Sequence, residues 1–351
     1  MKDGTWLRFA VCVALMAAAI AGCGKKNGSR QESAAPIAAD TSRTLVLYSG
    51  RSESLVEPVI ALFEKETGID VQVKYGNTPE LALTLREEGA RGRADVFWAQ
   101  DAGALGAVSK ANLFVDLPAD VGADLPGIFR HAGGKWVATS GRMRTLAFSP
   151  ERAAPESRPK SVFELADARF RGRVAWAPSN ASFQSFVTAM RKMHGEDTTR
   201  TWLETMKKNG THAQANNVAI LQAIARGEVD YGLPNHYYLL NFKKSETKFA
   251  VDQTSFAAGD VGNLINVAGV GILATSTHRD AAERFARFLL SPTAQQYFAS
   301  EVSEYPVIDN VITNTRLVPR DELLRLAPNV TLDDLDDLDG TLALLRSAGI
   351  L

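Results

Sequence analysis

From Thr44 onward the chain switches repeatedly between two hydrophobic periods, and this alternation restricts the folds open to it more than any other feature. TLVLYSG runs as a strand into a glycine turn, ESLVEPVIALFEKETG repeats apolar residues at helical spacing and stops at Gly68, and IDVQVKYG alternates at strand spacing. PELALTLREEGARG then predicts a helix, ADVFWAQ a strand and AGALGAVSKANL a helix. Strands that each feed a helix pair in parallel, and a parallel sheet must be covered on both faces. The expected fold class is therefore α/β. In such sheets ligands meet the carboxyl ends of the strands, here residues 49–52 and 99–101.

The chain has 351 residues, 45% of them hydrophobic, which exceeds what one core holds and predicts two lobes; single cores stop growing near about 250–300 residues. WVATSGRMRTLAFSP, residues 136–150, is long for one strand and leads into a second alternation: RVAWAPSN, a helix from 181 to about 193, TTRTWLETMKKNG, NNVAILQAIARGE and the strand VDYGLP. LINVAGVGIL, residues 264–273, is a further long apolar run able to carry the chain back. The expected boundaries are 43–142 plus about 268–318 for lobe 1 and 143–267 plus about 319–351 for lobe 2, with crossovers near 142–146 and 264–269. DAAERFARFLL and PTAQQYFASEV read as helices. The acidic run at 333–339 reads as a solvated loop and helix start, since acidic residues are favoured at helix N-termini.

The N-terminus differs from the rest. Lys2 and Arg8 precede the apolar run FAVCVALMAAAIAG, the form of an export signal. IAGC, residues 20–23, resembles the lipobox of bacterial lipoproteins, which makes 1–22 a signal peptide, Cys23 the lipidated first residue and 23–42 a flexible tether. Cys12 falls inside that signal, so no thiol remains in the folded part. A net charge of -1, without a basic block interleaved with aromatics, argues against nucleic acid as a partner.

Enzyme signatures are scarce. No HExxH, GxSxG, phosphate-loop or dinucleotide fingerprint occurs, and the histidines at 131, 194, 212, 236 and 278 lack metal-ligand spacing. SETK, residues 245–248, fits the SxxK pattern of penicillin-recognising serine hydrolases but has no SDN or KTG companion. PNHYYLLNF, residues 234–242, sets Tyr237 beside Tyr238 in a chain with seven tyrosines. Such a pair either buries its rings and bonds its hydroxyls locally, or offers two phenolates to a cation. A phenol with a pKa near about 10 ionises only beside a strong positive charge, and ferric ion, a hard cation that favours oxygen ligands, supplies one.

From about Leu45 to the C-terminus, LYSGRSE, FEKETGIDVQV, REEGARGRADVFWAQDAGAL, ATSGRMR, NHYY, GDVGNLINVAGVGIL and FARFLLSPTAQQYFA with EYPV at 304–307 occur in family order. Together they resemble the ferric-ion-binding members of the class II periplasmic solute-binding proteins, receptors of ABC importers. The resemblance implies a two-lobed Venus-flytrap fold that closes on Fe(III) as cargo, no catalysis, a monomer, and an ABC permease with its ATPase as partners. It makes Tyr237 and Tyr238 the metal ligands. It aligns Ser52 with a family histidine and Gln100, next to Asp101, with a family glutamate, and puts Phe183 where some relatives have a further tyrosine. It also implies a phosphate or carbonate held by Asn180, Ala181 and Ser182 at one helix start, Asn216 or Asn217 at the next, and Asn235, with Arg142 and Arg144 as counter-charges on one face of an extended segment. His236 is expected to be a loop histidine. Ser52, Gln100, two arginines and several asparagines also suit a metal-free organic anion, such as a phosphonate, phosphate ester or carboxylate, with both tyrosines neutral.

Overall fold

The computed structural model describes residues 43–351; the signal, Cys23 and the tether lie outside the described residues. Ten strands are present among them: β1 (Thr44–Ser49), β2 (Asp70–Tyr75), β3 (Val96–Ala99), β4 (Trp136–Met143), β5 (Leu146–Phe148), β6 (Val174–Trp176), β7 (His212–Ala213), β8 (Tyr231–Gly232), β9 (Asp252–Thr254) and β10 (Ile265–Ile272). They form two five-stranded sheets, ordered β2-β1-β3-β10-β4 and β7-β6-β8-β5-β9. In the first, β1 runs parallel to β2 and β3, and β10 is antiparallel to β3 and β4. In the second, β6 runs parallel to β7 and β8, and β5 is antiparallel to β8 and β9. Each sheet thus repeats one plan. Its antiparallel member is the strand that enters directly from the other sheet, where no helical crossover turns the chain around.

The helices are α1 (Glu53–Thr67), α2 (Thr78–Glu88), α3 (Ala102–Lys110), α4 (Ala181–His194), α5 (Glu196–Lys208), α6 (Asn217–Ala225), α7 (His236–Ser245), α8 (Arg279–Leu289), α9 (Pro292–Tyr297), α10 (Arg320–Leu326) and α11 (Leu338–Ser347). Helices cover both faces of the first sheet, so β3 is buried at every position, while the edge strand β2 alternates exposed and half-buried residues. Large rings fill the cores edge to face: Phe63 of α1 meets Phe285 of α8 at 5.0 Å, and in the second lobe Trp176 meets Phe183 at 5.4 Å. Phe183 is buried in that cluster.

The run 136–150 divides as its length suggested, into β4 of one sheet and β5 of the other, with Arg144 and Thr145 between them. Those two residues are tied on both sides. The Arg144 amide donates to Leu264 O and the Thr145 amide to Pro234 O, both at 3.0 Å. The return falls between β9 and β10, so residues 265–269 lie inside the first sheet.

The acidic run is solvated, as expected, with Asp337 and Asp339 exposed. It starts α11, with the Asp337 carboxylate capping Gly340 N at 3.1 Å. Its carboxylates also reach cations on both lobes: Asp336 meets Lys110 at 2.9 Å and Asp339 meets Arg86 at 2.8 Å, while Asp334 meets Lys192 at 3.0 Å and Asp337 meets Arg191 at 2.9 Å. Gly106 of α3 permits the close approach, since a Cβ there would sit 2.5 Å from Asp336 Cβ.

Candidate functional site: a cleft between the two lobes

The first-lobe wall is built on the turn from β1 to α1. Gly50 has no room for a side chain, because a Cβ would lie 2.0 Å from Thr78 Oγ1. That hydroxyl donates to Gly50 O at 3.0 Å and accepts from Gln100 N at 3.1 Å, which fixes the ends of β1 and β3 side by side. Arg51 then turns inward and grips Glu304 with two bonds of 2.9 Å, and Ser140 Oγ donates to the same carboxylate at 2.6 Å. Burial pushes the Glu304 carboxyl up, but the Arg51 charge and hydrogen bonds outweigh it and hold the group below its usual range.

The second-lobe wall begins α7. Tyr237 and Tyr238 occupy its first turn rather than a strand end, and their rings stack at 4.2 Å with 30° between planes. Tyr237 is fully buried and Tyr238 half-buried. Gln100 Nε2, from the opposite lobe, donates to both hydroxyls, at 3.4 Å and 3.5 Å. Burial drives the Tyr237 phenol well above its ordinary pKa, with Tyr238 and Glu304 adding to the rise and Arg51 and Arg142 opposing it. Without a further positive charge it stays neutral.

Behind the tyrosines lies Arg142, 1% exposed, with no hydrogen-bond partner for Nε, Nη1 or Nη2. Burial lowers its pKa, while Tyr237, Glu304 and Asp101 pull it back up. Arg144 is held more completely. One terminal nitrogen donates to Leu233 O, the other to Ser182 Oγ at 3.3 Å, and the guanidinium lies 5.0 Å from the Phe186 ring.

A cavity of about 320 Å³ separates the walls, lined by Ser52 and Gln100 from the first lobe and by Asn180, Ala181, Asn216 and Tyr238 from the second. Two long α/β walls of this plan, closing on a polar cavity, are the architecture of a solute receptor, and the sequence as a whole agrees. Residues 59–325 match the family described as bacterial extracellular solute-binding protein. The chain belongs to that family.

Its relatives include the Fe(3+)-binding periplasmic protein of Serratia marcescens, 32% identical over 317 residues, 90% of this chain and 93% of the relative. The major ferric iron-binding protein of Neisseria meningitidis is 31% identical over 310 residues, 87% of this chain and 93% of the relative. The crystal structure of iron-bound HitA from Pseudomonas aeruginosa superposes with a TM-score of 0.83 at 31% identity, covering 87% of this chain and 99% of that one. The two sheets described above are the two lobes of the periplasmic-binding-protein fold.

Within this solute-binding protein the residues expected at the site divide into two groups. Ser52, Gln100, Asn180, Ala181, Asn216 and Tyr238 line the cleft. Others serve the walls. Asp101 caps α3 through Ala104 N at 3.0 Å and accepts from Ser185 Oγ at 2.7 Å, which leaves its other oxygen buried without a partner; burial raises its pKa against the pull of Arg142. Ser182 is buried, bonded to Asn180 Oδ1 at 2.7 Å and accepting from Asn235 Nδ2 at 3.1 Å. Asn216 caps α6 through Ala219 N at 2.9 Å, and Asn217 is buried with its Nδ2 unpartnered.

Two expectations change. His236 is no loop histidine: it opens α7, 3% exposed, and joins Met143 N at 3.2 Å to Ser303 O at 3.0 Å. Burial pushes its pKa down to about 4, so the ring is neutral, with Nδ1 accepting and Nε2 donating. The SxxK pair is surface. Ser245 and Lys248 are exposed, and the Ser245 hydroxyl donates to Phe242 O at 3.1 Å, an ordinary helix-end contact. Sequence reasoning missed Arg51 and Glu304 as a unit; the motifs holding them were visible, but nothing in either names the other. Among the described residues no three His, Cys, Asp or Glu side chains gather as a metal-holding group.

Proposed function

We propose that this receptor captures ferric ion between its lobes as a complex with the phenolates of Tyr237 and Tyr238, completed by phosphate or carbonate, and presents it to an ABC permease and its ATPase. The observation that carries the reading is the stacked pair with both hydroxyls converging on Gln100, beside a buried Arg142 guanidinium that no protein group satisfies. A trivalent cation supplies the charge that ionises two buried phenols. Arg142 then becomes a counter-charge for the anion, and Asn180, Ala181 and Ser182 at the start of α4 form a second cradle for it, the anion taking over the Ser182 amide that donates to Asn180 Oδ1 at 3.0 Å. Relatives covering about nine-tenths of the chain are named for binding ferric iron.

The protein is a carrier and catalyses nothing. It acts outside the cytoplasm, held to a membrane by lipid on Cys23 and the tether of residues 23–42. Domain closure about Arg144–Thr145 and the return segment before β10 brings Gln100 to the tyrosines, and cargo favours the closed state by its differential affinity for it. A second reading, a metal-free phosphonate, phosphate ester or carboxylate against Arg142, draws on the neutrality of Ser52 and Gln100.

Iron–phenolate bonding gives a visible charge-transfer band, and an organic anion against a neutral phenol gives none. Protein loaded with ferric citrate and desalted is expected to be orange to purple, and Tyr237→Phe or Tyr238→Phe is expected to remove most of the colour while the fold persists. Colourless wild type in phosphate and carbonate buffers, with calorimetric binding of a phosphonate or carboxylate in the absence of metal, would replace the ferric reading with the second one.

A further inference from the structure

We propose that Glu53 supplies the first lobe's anionic oxygen to the bound metal, an assignment that rests on the ferric reading above. A ferric ion held by two phenolates and an anion is still a hard cation, which takes carboxylate oxygen readily. Closure driven by the metal itself demands a donor from the first lobe. Gln100 reaches the tyrosines but is neutral. Asp101 carries charge but is 3% exposed beneath α3, with Oδ1 committed to Ala104 N and Ser185 Oγ.

Glu53 meets the demand from the same turn. It lines the 320 Å³ cavity together with Tyr238 of the opposite wall, and it is the one carboxylate among the lining residues. The turn that presents it is fastened by buried contacts: Gly50 lies against Thr78, Arg51 N donates to Ser49 Oγ at 3.2 Å, and the Arg51 guanidinium grips Glu304. A turn so fastened holds the start of α1 in place at the rim of the cavity, and rigid elements make better ligand platforms than loose loops.

Its neighbours are engaged elsewhere. Tyr75, on the same rim, donates to Glu57 Oε2 at 2.7 Å, so the carboxylate one helical turn beyond Glu53 is occupied. Among the described residues no hydrogen bond or ion pair holds the Glu53 carboxylate itself. An acidic residue in the first turn also favours a helix through the dipole, so the test separates that structural role from ligation.

The full exported chain is loaded with ferric ion in wild-type, Glu53→Gln and Asp101→Asn forms, and two quantities are read: citrate competition for the iron and the position of the phenolate band. Loss of an anionic donor makes the metal a better electron acceptor, so Glu53→Gln is expected to shift the band to longer wavelength. It is also expected to weaken ferric binding by at least about tenfold, since even partners one shell removed from a metal contribute about 10- to 100-fold. Asp101→Asn is expected to leave the band where it is. A wild-type band that Glu53→Gln leaves unmoved, with affinity unchanged, overturns the Glu53 assignment alone. A band shifted by Asp101→Asn instead overturns it in favour of the residue it was meant to replace. Absence of any band in the wild type overturns the ferric reading and this assignment together.

Discussion

Arg51 and Arg142 are buried in the same wall, at 3% and 1% exposure, and the protein provides for them in opposite ways. Arg51 has a carboxylate fitted to both terminal nitrogens, with a serine completing the cluster. Arg142 has attractive charges nearby but no hydrogen bond at any nitrogen. His236, a third buried base in the region, follows a different course and gives up its proton. Arginine cannot do that. A buried polar group without a partner costs about 1–3 kcal/mol, more when charged. Such a cost supports the proposal that Arg142 meets its partner in the ligand, whereas Arg51, with only Nε lacking a partner, belongs to the scaffold.

Breaking the scaffold pair gives the largest effect. Glu304→Gln leaves the Arg51 charge buried with a neutral partner and is expected to destabilise the ligand-free protein by about 3–5 kcal/mol in denaturant unfolding, the usual range when one member of a buried pair is removed. The same pair predicts acid sensitivity. The folded-state pKa of Glu304 lies below its unfolded value, so its contribution is complete above about pH 4.5 and is lost as pH falls through the folded value. Wild type is expected to lose stability more steeply on acidification than Glu304→Gln. A cost under about 1 kcal/mol, the range of exposed pairs, would show that the pair does not anchor the turn.

Arg142→Met is expected to do the reverse. Removing an unsatisfied buried charge while keeping similar volume leaves the ligand-free melting temperature unchanged or raises it, as replacements of buried ions by apolar residues often do. Ferric affinity in phosphate or carbonate is expected to fall by about 10- to 100-fold, the scale of losses around metal sites. A protein that melts much lower but binds iron normally would make Arg142 a scaffold residue and erase the contrast with Arg51.

The contrast itself was not legible in the sequence, although much around it was. Helical periods with glycine stops, and the alternation of β2, made the first lobe's elements readable. The second lobe was harder to read: β8 is two residues long and β5 three, too short to show a period. Adjacent tyrosines announced themselves by adjacency. Arg51 and Glu304 stand 253 positions apart, and Asp101 and Ser185 stand 84 apart, so the first pairing exists only once the first lobe has folded and the second only once the two lobes have met. Asp101 looked like a ligand because it ends a strand; the helix cap and the Ser185 hydroxyl claimed it. Nothing in the sequence singled out Glu53; its place in the cavity lining shows only in the fold.

The acidic strap before α11 supplies the smallest effect and the sharpest control on the argument from burial. Lys110 and Asp336 meet at 2.9 Å, as close as Arg51 and Glu304, yet their side chains are 60% and 32% exposed. If distance alone set the value of an ion pair, the two would be equal. Water screens the outer pair, and holding two mobile side chains costs entropy, so Asp336→Asn is expected to destabilise by only about 0.2–1 kcal/mol. Because the screening length shrinks to about 3 Å at 1 M salt, that difference should vanish there, while the cost of Glu304→Gln should persist. The asparagine keeps the shape that packs against Gly106, so the comparison isolates charge from fit. An Asp336→Asn cost as large as that of Glu304→Gln, and insensitive to salt, would mean that exposure does not set the worth of these ion pairs, and the reading of Arg51 as scaffold and Arg142 as ligand-seeking would lose its basis in burial.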